Sequence, residues 1–190
     1  MMSREGGRVA RVWLFGGAAV VLLVIVLVAS IGWVVLSGAG APGRPVPDYD
    51  ARVLGTQREV ALAELDGVSL LNMWATWCGP CRREMPALQA IYERYADEGL
   101  RVIGVNVDTS ASDEDIAEFA EAIGVTFEIW RDPQNEFIEA FRAMGVPQTY
   151  LIAGGRILRH WQGRMNPMAP ENLTSIKTAL GLAAAPRADT

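Results

Sequence analysis

Uninterrupted apolar runs and amphipathic stripes divide this chain into segments of different kinds. From Val12 to Leu36, 25 residues pass without a charge. At about 1.5 Å per residue, a helix of that length exceeds the roughly 30 Å hydrocarbon core of a bilayer. No polar face interrupts the run, which argues against a buried core helix. Residues 12–36 are therefore expected to form one transmembrane anchor, with residues 1–11 as a short N-terminal segment. Residues 37–47 (SGAGAPGRPVP) show no periodicity and read as a linker.

From Asp48 onward the rhythm is that of an α/β domain, expected over 48–184 with a tail at 185–190. Short strands are expected at 51–54 and 58–62, around a turn at Gly55-Thr56. Val68–Ala75 and Leu100–Val107 are nearly continuous apolar runs, the mark of strands buried on both faces. Between them, a helix is expected from about Gly79 to Ala96. Ser112 suits an N-cap, and the acidic residues behind it suit the first turn of a helix over 112–123. A short strand at 127–130 and a helix over 135–144 follow. Residues 148–153 and 156–162 flank Gly154-Gly155, a two-residue hairpin turn. A last helix is expected over 170–182. Strands alternating with helices and closing on a hairpin and a helix imply an α/β sandwich with a mixed sheet.

Charge sharpens the picture at the N-terminus. Arg4, Arg8 and Arg11 precede the apolar run against a single Glu5. Arginines on that side place the N-terminus in the cytoplasm and the domain across the membrane, in a periplasm or its equivalent. Ala39-Gly40-Ala41 resembles a signal-peptide cleavage site, but a signal core is usually only ~7–15 residues long; in either case the domain is exported. Taking those four charges from the totals of 17 basic and 22 acidic residues leaves 14 and 21, a net −7 from Ser37 onward. A domain so acidic is poorly suited to nucleic acid.

The chain has two cysteines, Cys78 and Cys81, and a single histidine, His160. Trp77-Cys78-Gly79-Pro80-Cys81 stands between the expected central strand and the expected helix. Cys78 would then sit where free backbone N–H groups and the helix dipole favour a sulfur anion, the species that attacks disulfides. Cys81, one turn along, could resolve the mixed disulfide. Pro80 suits a first turn, and Arg82 and Arg83 add positive charge. A zinc site lacks ligands, and covalent haem attachment would want a histidine where Arg82 stands. A redox pair is the reading these neighbours favour, with no metal and no cofactor beyond the disulfide itself.

Leu70–Pro86 (LLNMWATWCGPCRREMP) resembles the membrane-tethered thioredoxin-like proteins of the TlpA/ResA/CcmG (DsbE) group. Gly145-Val146-Pro147-Gln148-Thr149-Tyr150 resembles the cis-proline loop of thioredoxin folds. The landmarks Cys81 and Pro147 stand 66 residues apart, more than in a minimal thioredoxin. The resemblance implies a thioredoxin fold, a mixed central sheet flanked by helices, with N-terminal extension strands and an inserted helix. It implies a cis Pro147 packed against the cysteines, with the Val146 backbone pairing with a client strand. Gly163, in Gln162-Gly163-Arg164, matches the third loop of the groove, and Trp77, Gly79 and Pro80 complete the client-contacting set. Asn72 replaces the buried acid of thioredoxin and cannot ionise; it is expected to hydrogen-bond within the strand region. Glu84, three residues beyond Cys81, is expected to take over proton transfer, against the alternative of a carboxylate that complements the helix dipole. Trp74 is expected in the core and His160 on a solvated strand face.

The same resemblance implies an oxidoreductase whose clients are disulfide-containing proteins, with apocytochrome c in cytochrome c maturation as one candidate and copper-site assembly factors as another. Gly-Pro is the thioredoxin dipeptide, and thioredoxin poise is about −270 mV against about −120 mV for DsbA, which favours a reductase. Its recharging would fall to a membrane electron donor of the CcdA/DsbD type. A peroxiredoxin-type peroxidase would need Ser or Thr at Ala75 and Pro at Leu71. A non-enzymatic Cu(I) carrier could use the two thiolates, with Met165 and Met168 downstream.

Overall fold

Seven strands hydrogen-bond in the order β2-β1-β5-β4-β3-β6-β7. They are Asp50–Val53 (β1), Glu59–Ala61 (β2), Val68–Trp74 (β3), Leu100–Asn106 (β4), Glu128–Arg131 (β5), Gln148–Ala153 (β6) and Arg156–Gln162 (β7). The helices are Gly79–Tyr95 (α1), Asp113–Ala122 (α2), Glu136–Phe141 (α3) and Pro170–Ala179 (α4). This computed structural model describes residues 22–26 and 42–182. Leu22–Val26 is helical; the rest of the expected anchor at 12–36, residues 1–11, the first part of the linker and the tail lie outside the described residues. No helix of the described residues is long and apolar enough to cross a membrane.

The sheet is mixed. β3 runs parallel to β4, and β4 parallel to β5, whereas β6 lies antiparallel to β3 on the other side. All seven residues of β3 are buried, so both faces of the sheet are covered at its centre. The polar residues of that strand, Ser69 and Asn72, are buried with the apolar ones. β4 passes beneath Trp74 at Gly104, where a Cβ would come within 2.8 Å of the indole nitrogen and 3.1 Å of Phe127. The β1–β2 hairpin extends the sheet through antiparallel pairing of β1 with β5.

Helix α1 buries Cys81, Glu84, Met85, Leu88, Gln89, Ile91 and Tyr95, a stripe of three- and four-residue steps. α2 opens on the expected cap: the Ser112 hydroxyl accepts from the Asp115 amide, and the Asp115 carboxylate answers the Ser112 amide. α3 is shorter than the 135–144 expected, because Asn135 and Arg142 both adopt left-handed backbone at its ends. Its Phe137 and Phe141 stack at 4.1 Å and meet Tyr150 of β6.

The end of the expected linker is docked. The Gly43 amide donates to the Ile157 carbonyl, the Ile157 amide to the Arg44 carbonyl, and Pro45 bridges to Arg156. Residues 43–46 thus lie along the start of the edge strand β7. Register places this contact at one end of the sheet, since Arg156 faces Ala153 and Ala153 faces Val68. The carboxyl ends of β3 and β4, where Trp74 faces Asn106, form the other end.

Candidate active site

The loops that carry the expected chemistry converge at that carboxyl end. β3 ends at Trp74 and delivers Cys78 to the start of α1. β6 begins at Gln148, opposite Met73 and Gln162, so Pro147 and Gly163 are brought to the same end. The Val146–Pro147 bond is cis. The Gly163 amide donates to the Pro147 carbonyl at 2.9 Å, and Gly163 has φ of 77°, a left-handed conformation that favours glycine. Val146 is half-buried, and Trp77 is 71% exposed.

Cys78 and Cys81 form a disulfide. Cys78 is the N-cap of α1, and its sulfur accepts from the Cys81 amide at 3.2 Å. The sulfur therefore occupies the place where a capping oxygen ordinarily receives an orphan N–H. Gly79 and Pro80 fill the first turn. Cys78 is 4% exposed and Cys81 is fully buried, so Cys78 is the more accessible sulfur. Arg82 does not face the pair: its guanidinium lies over the Phe119 ring of α2 at 5.8 Å.

Glu84 lies on the buried stripe of α1 and is 2% exposed. Its carboxyl accepts from Asn72 Nδ2 at 2.8 Å and from the Met165 amide at 2.9 Å. Burial pushes its pKa up from 4.5 to about 7, against the two hydrogen bonds and the charge of Arg164, which pull it down. A carboxyl held this way exchanges protons near neutrality, and it stands three residues beyond Cys81 on the same side of the helix. Asn72 also donates to Thr149 Oγ1 at 2.9 Å, so it joins β3, α1 and β6. That reach beyond its own strand was not legible from its position in an apolar run.

His160 departs from expectation. It stacks on Tyr150 at 4.2 Å, and burial holds its pKa below the ordinary value. Its Nε2 meets Gln148 Oε1 at 2.8 Å, and the Tyr150 hydroxyl donates to the same oxygen. The Gln148 amide in turn donates to the Gly145 carbonyl, bracing the cis-proline loop. The face of buried Tyr150, directly opposite on the adjacent strand, replaces part of the solvent expected around the ring. Trp74 is buried as expected, stacked on Phe119. Met165 is buried and contributes its backbone amide to Glu84.

The AhpC/TSA family model matches residues 42–161. The chain belongs to the AhpC/TSA family. Within it, the thiol-disulfide oxidoreductase ResA of Geobacillus thermodenitrificans is 32% identical, over 82% of this chain and 93% of that protein. The thioredoxin-like protein YneN of Bacillus subtilis is 32% identical, over 74% of this chain and 82% of its own length. A solved structure from Chlorobium tepidum, assigned to the thiol:disulfide interchange protein DsbE, superposes with a TM-score of 0.66 at 27% identity, over 74% of this chain and 99% of that one. These relatives group this AhpC/TSA protein with the thiol–disulfide oxidoreductases. The AhpC/TSA chain described here keeps Leu71 and Ala75 where a peroxidase would need Pro and Ser or Thr.

Proposed function

We propose that this protein is a membrane-tethered reductase of client disulfides outside the cytoplasm, with Cys78 as nucleophile, Cys81 as resolving thiol and Glu84 as its proton acceptor. The observation that carries the reading is Glu84: a buried carboxyl, met by neutral donors, whose pKa of about 7 lets it accept and return a proton at working pH. In the reduced form, the Cys78 thiolate attacks one sulfur of the client's disulfide. The client's other sulfur leaves as a thiolate and takes up a proton. Cys81 gives its proton to Glu84 and attacks Cys78, releasing the second client thiol and closing the Cys78–Cys81 disulfide. The client gains two electrons and two protons, one proton from solvent and one from Cys81 by way of Glu84; the protein loses two electrons and the Cys81 proton, Cys78 having entered as its thiolate. No cofactor beyond the disulfide is needed.

The Val146 backbone, half-buried beside cis Pro147, offers a client strand an edge to pair with, and exposed Trp77 offers a flat contact. The 25 uncharged residues at 12–36, with arginines ahead of them, support an anchor with the N-terminus in the cytoplasm and the domain in a periplasm or its equivalent. The tether would raise the local concentration of a membrane dithiol donor of the CcdA/DsbD type. Oxidised apocytochrome c is the client class we favour. A Cys81→Ser variant that retains its client as a mixed disulfide tests this: recovery of apocytochrome c supports the assignment, and recovery of copper-site assembly factors redirects it. The Cys78–Cys81 reduction potential tests direction, because a value near about −120 mV overturns the reductase reading.

A further inference from the structure

Between Trp74 and Gly79 the chain turns from strand to helix in four residues, and the placement of Cys78 depends on how that turn is held. Three backbone bonds fix its ends: Val107 N–H to the Trp74 carbonyl, Cys78 N–H to the Ala75 carbonyl and Arg82 N–H to the Cys78 carbonyl. The middle of the turn is held by a side chain from the loop that follows another strand. Asp108, just beyond β4, accepts from the Thr76 amide at 2.9 Å through Oδ2 and from the Thr76 hydroxyl at 3.2 Å through Oδ1. The next residue, Trp77, is largely in solvent, so packing from outside does little to restrain the turn.

Asp108 is 3% exposed, and a buried carboxylate is costly unless its oxygens are met. Asn106 Nδ2 donates to Oδ2 at 2.7 Å, and the Asp108 amide bonds back to Asn106 Oδ1. Asn106 Oδ1 accepts from Arg131 at 2.6 Å, and Arg131 also donates to the carbonyls of Asp108 and Ala111. Arg131 pairs with Asp113, which pairs with Arg52 of β1. The carboxylate is therefore anchored through β4, β5 and α2 as far as the outer hairpin.

We propose that Asp108 is a positioning residue of the reaction: by gripping the amide and the hydroxyl of Thr76 it sets Cys78 on the first turn of α1. The helix-end field that favours a sulfur anion fades within about one turn, so a nucleophile displaced from the cap loses both ionisation and aim. The inference rests on the proposed function, but the ionisation of Cys78 can be read without any client. The hold depends on hydrogen bonds rather than on charge. In an Asp108→Asn side chain, Oδ1 can take the place of Oδ2 and accept from the Thr76 and Asn106 donors, while Nδ2 donates to the Thr76 hydroxyl.

The test measures, on the full chain in its reduced form, the pH profile of Cys78 alkylation, kcat and KM for a model disulfide, and the urea midpoint. Asp108→Ala is expected to move the Cys78 pKa up toward the free value of about 8.5 and to lower kcat/KM by about tenfold or more. Asp108→Asn is expected to restore both. Thr76→Val, which removes one of the two bonds, is expected to shift both in the same direction by less. If Asp108→Ala lowers only the urea midpoint and leaves Cys78 ionisation unchanged, Asp108 is scaffold and the proposal fails. It fails equally if Asp108→Asn is as impaired as Asp108→Ala. Should Asp108→Ala not fold, an unaltered Cys78 profile in Thr76→Val overturns the proposal. If the unsubstituted protein leaves disulfides intact, the reductase reading falls, while the alkylation profiles still decide the role of Asp108.

Discussion

One carboxylate bonded to the central strand and one beside the outer hairpin are treated in opposite ways. Glu84, under the cysteine pair, is buried and receives donors that carry no charge, and its pKa rises to about 7. Asp113, at the start of α2, receives Arg52, Arg131 and the Gly55 amide, and its pKa falls to about 2. The first site bonds no cation to its carboxyl and leaves only the lesser pull of Arg164. The second supplies two cations. A proton near neutrality is therefore mobile at the cysteine end and settled at the outer edge, where the ion pairs tie β1, β5 and α2 together.

The largest effect that separates the two regions is the loss of the sulfur nucleophile. Cys78→Ser is expected to abolish disulfide reduction while leaving the outer ion pairs intact, measured by turnover of a model disulfide beside thermal unfolding. Glu84→Gln comes next. It is expected to slow the resolving step by about 10²-fold near pH 7, seen as build-up of mixed disulfide, and to remove the pH dependence centred there. The same substitution has a stability signature. Because burial raises the native pKa above the unfolded one, the native state holds a proton that the unfolded chain has lost between pH 4.5 and about 7. Stability falls as pH rises through that window, by on the order of 3 kcal/mol at most, and urea titrations of Glu84→Gln should lack the fall.

The smallest effect is at the outer edge. Asp113→Asn is expected to cost only about 1 kcal/mol, since partly exposed ion pairs are screened by water, and to change turnover far less than Asp108→Ala. Its native pKa is depressed, so its contribution is present above pH 3.8 and is lost as pH falls through about 2. Acid unfolding of the variant should therefore lose that component. A loss of activity in Asp113→Asn as large as that of Asp108→Ala would show that the Arg131 network transmits the state of the outer edge to the cysteine turn.

What could be read from the chain alone follows the range of each interaction. β3 and β4 announce themselves because burial on both faces demands near-continuous apolar residues, and the β6–β7 hairpin because Gly154 and Gly155 both take positive φ. Ser112 and Asp115 are three residues apart, so their capping box is local and legible. Asp108 reads only as a polar residue after a strand; its partner Thr76 is 32 residues away. Arg131 ends a short strand in the manner of an ordinary surface arginine, yet it is 5% exposed and bonds to Asn106 of β4, Ala111 of the loop after it and Asp113 of α2. His160 alternates correctly for an outward strand position, and only the register of β6 against β7 puts Tyr150 beneath it. The chemistry of Glu84 was suggested by its place after Cys81, whereas burial raises its pKa and the donors that temper the rise, Asn72 and Met165, come from opposite sides of it in the chain.

The docking of residues 43–46 along β7 has a consequence for solubility. An outermost strand with unsatisfied amides and carbonyls invites pairing with another molecule. Here the Ile157 amide and carbonyl are already taken by Arg44 and Gly43, and Pro45, which has no amide hydrogen, offers a newcomer no donor. Trimming the polypeptide to begin after Pro45 would uncover that margin beside half-exposed Leu158 and leave the domain prone to self-association through its sheet.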